Sequence, residues 1–153
     1  IFGILLHVTA GAGAAAFAWL DDHIGPRHTI IYALIGMIVL STATLITNSL
    51  ALFWAFGLAL GVFVGPVQAS SRSYLARVAP AHMRTQMFGL MALSGKSTAF
   101  IGPILVSTVT GMVGSQRAGM GIIVIFFAVG LALMLTVPRA GTVAAVTRSD
   151  EAP

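Results

Sequence analysis

Lys96 stands among Ser94, Ser97 and Thr98 in the string SGKST. An ammonium surrounded by hydroxyls can be hydrated, can line a polar path, or can meet the carboxylate of a solute. The same string imitates the end of a phosphate-binding loop, which needs a glycine five residues before its second glycine and a strand leading into it. Counting back from Gly95 reaches Leu90, so nucleotide chemistry is excluded there. Gln68 and His7 are two further polar groups in apolar surroundings. A lone histidine of that kind either carries protons or is hydrogen-bonded within a bundle. His23, His28 and His82 lie near Arg or Asp without the i, i+4 arrangement of a metal site. Cysteine is absent, which removes disulfides, thiolate metal sites and cysteine nucleophiles. Serine-hydrolase and paired-carboxylate chemistry lack partners too. The chain therefore reads as a non-enzyme, with no cofactor and no metal expected.

The composition says what must hold these groups. Of 153 residues, 58% are hydrophobic and 8% charged, whereas a soluble domain carries about a quarter charged residues. Eight basic and four acidic residues cannot coat a globule of this size, so the fold class is an all-α membrane protein. About 20 apolar residues cross the hydrocarbon as a helix, and five such stretches occur, at 1–20, 29–47, 50–69, 90–113 and 119–137. Barrel strands would alternate in polarity over about 10 residues, and no segment does. Lipid offers no partner to unpaired backbone groups, so all five spans are helices.

The breaks between spans are legible. DDHIGPRH, at 21–28, reads as a polar hairpin with a Gly-Pro break, and Asn48-Ser49 as a minimal turn. The segment 70–89 reads as a longer amphipathic connection and GSQRA, at 114–118, as a tight turn. Residues 1–138 form the predicted transmembrane bundle and 139–153 a disordered cytoplasmic tail. No basic region or cleavage site precedes the first apolar run, which argues against a signal peptide. An odd number of spans fits a truncated six-helix unit, so the chain is expected to be a piece of something longer.

Basic residues set the orientation. Arg27, Arg72, Arg77, Arg84, Arg139 and Arg148 fall on one side of a five-span map, with Arg117 alone on the other and Lys96 inside the fourth span. This bias places the six-arginine side, with the C-terminus, in the cytoplasm. The net charge of +4 sits between apolar runs, so the expected partner is membrane lipid and not nucleic acid.

Two spans carry packing or functional signals. Gly57, Gly61 and Gly65 recur every four residues, giving a smooth ridge for close approach of another helix. Pro66 follows and is expected to kink or unwind the span. The ridge serves either plain packing or a helix that moves in a conformational cycle. Gly95, Gly102, Pro103 and Gly111 give the fourth span a similarly broken character, one mark of transporter substrate sites. Lys96 lies about 10 Å into that span, deep enough to be a functional candidate and shallow enough to snorkel. No acidic residue lies in any span, so a carboxylate partner for Lys96 must come from a solute or from elsewhere in the protein.

The loop DDHIGPRH is similar to the gating-loop signature of the major facilitator superfamily, roughly G-x-x-x-D-[RK]-x-G-[RK]-[RK]. Asp22, Gly25, Arg27 and His28 fall on or one residue beyond that pattern, while Ala18 replaces its leading glycine and His23 its first basic residue. QASSRS (68–73), RVAP (77–80), FGLMALSGKSTAFIGP (88–103) and GSQRAG (114–119) follow in order. Together they resemble the C-terminal half of the unknown-major-facilitator family, which includes bacterial permeases and a vacuolar amino-acid effluxer. The resemblance covers about residues 10–137 and implies that the spans are the eighth to twelfth of twelve helices. It implies a rocker-switch transporter with its cavity between two six-helix halves, the N-terminal half being absent from this chain. Asp22, Arg27 and Arg72 would then form a cytoplasmic gate or a topology-fixing charge network. Gln68, Lys96, Ser94, Ser97, Thr98 and His7 would line the solute pathway.

The expected function is secondary transport of a small solute, amino acids by resemblance, across a membrane that is the bacterial inner membrane in the permeases. The alternative is a non-transporting helical subunit that packs through the glycine ridge.

Overall fold

Five apolar runs close into five helices in a computed structural model that describes residues 2–137. They are α1 (Phe2–Ile24), α2 (Pro26–Ile46), α3 (Leu50–Val78), α4 (Arg84–Val113) and α5 (Gln116–Thr136), with a short 3-10 turn at Ala81–Met83. All five are long and apolar enough to cross a membrane, and no strand occurs among the described residues. The protein is an all-α integral membrane protein. The tail expected at 139–153 lies outside the described residues.

The helices outrun the apolar spans, chiefly at the end rich in arginine. The hairpin expected over 21–28 shrinks to Gly25 alone. This residue takes a positive φ of 83° and Pro26 opens α2 directly. Glycine adopts that backbone without penalty, and proline at the first helical position loses an N–H that would be unpaired anyway. The Thr29 hydroxyl donates back to the Gly25 carbonyl at 3.1 Å, and Thr29 is fully buried. The amphipathic connection expected over 70–89 is helical to Val78 and again from Arg84. Ala79, Pro80 and the 3-10 turn at Ala81–Met83 interrupt it, because a residue before proline is pushed into extended backbone. Polarity alone does not end a helix outside the bilayer; Gly and Pro do. The turn at 114–118 is tight as expected, with Gly114 left-handed at φ 66° and its N–H donating to the Thr110 carbonyl.

Packing runs in the order α1, α3, α2, α5, α4, and α3 approaches α4 only sparsely. Helices α1 and α4 thus form the two ends of an open arc. No residue of α4 is buried, and of residues 3–24 of α1 only Gly13 is. The core lies between α2 and its neighbours, around Ile30, Ala33, Leu34 and Met37.

The glycine ridge is spent inside this chain. A Cβ at Gly61 would meet Thr9 and the Leu6 carbonyl of α1, and one at Gly65 would meet the Ala10 carbonyl. Gly57 is buried on the same helix. The tightest approach comes from α1: a Cβ at Gly13 would run into the Val62 backbone. Pro66 explains why that carbonyl is there to be met. A kink or unwinding was expected at Pro66; helix α3 continues through it without unwinding, but proline has no N–H to offer the carbonyl four residues before it. The Val62 carbonyl therefore lacks its helical donor and faces the Gly13 backbone, where a weak Cα–H···O contact is available.

Candidate functional site

Helix α3 brings Gln68 and Arg72 to one edge, since residues four apart are neighbours on a helix surface. Two cavities flank that edge. The larger, about 800 Å³, lies between α3 and α4, and Gln68, Ser71, Arg72 and Lys96 supply its polar wall. Phe88, Met91 and Ala99 are among its apolar lining. The smaller, about 450 Å³, lies between α1 and α3 and adds His7 to Gln68 and Arg72. Both are partly open. Depth agrees across the larger cavity: at ~1.5 Å per residue, Gln68 lies about 27 Å from the start of α3 and Lys96 about 26 Å from the end of α4.

Among the described residues, neither Gln68, Arg72 nor Lys96 has a hydrogen-bond or ion-pair partner, whereas most other arginines do. Arg27 donates through Nε to the Val137 carbonyl at 3.0 Å and through Nη2 to the Leu135 carbonyl at 3.1 Å. Arg117 donates through Nη2 to the Thr47 carbonyl at 3.1 Å and to Asn48 Oδ1 at 2.6 Å. Helices α2 and α5 are thus clasped at both ends, each by an arginine from the first turn of one helix reaching the last carbonyls of the other. A cation at its own helix N-terminus is unfavourable, and the neighbour's C-terminal dipole and orphan carbonyls offset that. Arg77 lies 3.9 Å from Asp21, whose side chain is 13% exposed. The other carboxylate oxygen of Asp21, Oδ1, is buried without a partner.

The remaining expected residues are placed as follows. His7 Nδ1 lies 2.7 Å from the Gly3 carbonyl of its own helix. Ser97 and Thr98 donate to the Leu93 and Ser94 carbonyls at 3.0 Å each. Ser94, Ser97 and Thr98 are exposed on α4 and are not part of the wall that holds Lys96. Asp22 is exposed and has no ion pair among the described residues; its neighbour Asp21 takes the position beside α3. Arg27 turns to the end of α5 within this chain. Sequence reasoning used Arg77 and Arg117 only as markers of orientation and missed Asp21 and Gly13. The doubled aspartate of DDH and the isolated cation at the turn before α5 were the available signals.

The family model described as vacuole effluxer Atg22-like matches residues 2–144. The chain belongs to that family. Two relatives place the Atg22-like chain among major facilitator-type proteins. It is 28% identical over 141 residues to the uncharacterized MFS-type transporter YxiO of Bacillus subtilis (strain 168), covering 89% of this chain and 32% of the relative. It is 32% identical over 114 residues to the probable nitrate/nitrite transporter NarK2 of Mycobacterium tuberculosis (strain H37Rv), covering 64% of this chain and 28% of the relative. The Atg22-like chain thus spans about a third of the length of these curated relatives.

Proposed function

We propose that the protein is a secondary transporter that moves a small solute by alternating access, with its pathway on the concave side formed by α1, α3 and α4. The observation that carries this reading is the meeting of Gln68, Arg72 and Lys96, all without partners among the described residues, in one cavity that reaches from Gln68 and Lys96 at membrane depth to Arg72 at the arginine-rich end of α3. Polar groups are costly in lipid and are kept there for function. The open arc supports the reading too: the faces of α1 and α4 left bare here belong against a second six-helix lobe, and the solute passes along the seam. The family's description as effluxers and the transporter names of two relatives support the same class. The arginine-rich end faces the cytoplasm, and the membrane is the bacterial inner membrane. The solute is an amino acid or similar small zwitterion by resemblance. The subunit alternative loses its basis, because the ridge it would dock through already packs α3 against α1.

The test is counterflow in proteoliposomes with the full natural protein, using labelled amino acids and small inorganic anions. Flux is expected with the natural protein and at least tenfold less with Lys96→Ala. Absence of flux for every solute, with folded protein, would refute transport; undiminished flux in the variant would remove Lys96 from the pathway.

A further inference from the structure

We infer that the cavity between α3 and α4 holds an anionic group of the transported solute, a carboxylate or an inorganic oxyanion, between Arg72 and Lys96. This rests on the transport reading and goes beyond it by naming the chemistry that the site recognises.

Charge is the first argument. Arg72 and Lys96 line one partly open cavity, and two like charges facing the same space repel each other. Nothing in the described part of the chain offsets that repulsion. Its two carboxylates, Asp21 and Asp22, sit at the end of α1, and Asp21 faces Arg77. No carboxylate lines the cavity. An anion entering it would relieve the repulsion and gain two charge-assisted hydrogen bonds.

Donor balance is the second. The polar wall consists of a guanidinium, an ammonium, the Gln68 amide and the Ser71 hydroxyl. Its side-chain acceptors are neutral, so the wall suits a group rich in lone pairs. The planar fork of arginine matches a carboxylate or nitrate-like oxyanion in two-point fashion, and lysine adds a point charge that can adjust its position. Phe88 and Met91, on α4 with Lys96, are part of the apolar lining, and apolar surroundings strengthen each of these attractions.

Availability is the third. Arg27, Arg77 and Arg117 are held by carbonyls, a carboxylate or a side-chain amide. Arg72 and Lys96 are held by nothing described. The cavity of about 800 Å³ is within the range of small-molecule sites.

Titration calorimetry on the full natural protein in detergent tests this, at constant ionic strength, with sodium nitrate, sodium acetate and L-alanine. Choline and L-alaninamide, which lack the anionic group, are the controls. At least one of the three anionic-group solutes should bind, with affinity falling tenfold or more in both Arg72→Gln and Lys96→Gln. The charge-conserving Arg72→Lys and Lys96→Arg should recover part of it, and unchanged melting temperatures would show that the variants are folded. Binding by none of the three, binding unchanged in the glutamine variants, or equal binding of choline or L-alaninamide would overturn the inference. A lipid headgroup is the other source of such an anion. Stabilisation by phosphatidylglycerol nanodiscs over phosphatidylcholine nanodiscs, lost in the variants while free solutes do nothing, would also overturn it. Flux of the same solutes separates the two claims: flux persisting in both glutamine variants sinks this inference and leaves transport standing. Variant-sensitive binding without flux does the reverse.

Discussion

Gly13→Ala should destabilise the protein by about 3 kcal/mol, while Gly11→Ala, two residues away on the same helix, should be neutral or slightly stabilising. The opposite signs follow from what each new methyl would meet. At Gly13 it runs into the carbonyl oxygen, the carbonyl carbon and the Cα of Val62, all backbone, so no side chain can swing aside. Relief requires α1 to move off α3, and the contacts of Gly61 with Thr9 and of Gly65 with Ala10 move with it. At Gly11 nothing lies within 4 Å of the new atom, and alanine gains up to about 1 kcal/mol in helix propensity over glycine. Thermal unfolding of the two variants in detergent checks this. Equal melting temperatures would mean that α1 and α3 do not cross at Gly13.

Arg27→Ala should cost about 2 kcal/mol and fray the last turn of α5. The guanidinium donates to two carbonyls at the end of α5, those of Leu135 and Val137. Arg27→Lys should recover less than half, because an ammonium cannot present two donors at the fork's fixed spacing. The corresponding change at Arg117 should cost about half as much or less, since that side chain is exposed and its contacts compete with water. Hydrogen exchange at the end of α5 separates local fraying from global loss of stability. Faster exchange confined to the last turn of α5 is the expected result, and unchanged exchange there would show that Arg27 does not hold it.

The spans were legible because a helix in lipid must be apolar over a length fixed by the bilayer, and that length can be read directly from residue runs. Their ends at the arginine-rich side were not, since beyond the hydrocarbon a helix continues until Gly25 or Pro80 stops it, whatever its polarity. The ridge of Gly57, Gly61 and Gly65 announced a close crossing but not its partner; α1 matches it because its own small residue, Gly13, meets the carbonyl freed by Pro66. Asp22 was chosen by its spacing from Gly25, yet spacing along a motif does not say which face of a helix a side chain takes. Adjacent residues on a helix point about 100° apart, and it is Asp21 that faces Arg77. Lys96 and Gln68 stood out as polar groups at apolar depth. That Arg72 joins them in one cavity, while Arg27 and Arg117 turn away to cap helices, depends on which carbonyls come within reach after folding.

A solute pathway between α3 and α4 requires that their cavity be wet. A single cysteine placed at Ala92, one turn from Lys96 in the same cavity lining, in the full natural protein freed of any others, can be challenged with a membrane-impermeant maleimide in right-side-out and inverted vesicles. Labelling from water, slowed when a transported solute is present, is the expected result. A cysteine that reacts only with a lipid-soluble reagent, from either side and regardless of solute, would place that lining against lipid and contradict the pathway.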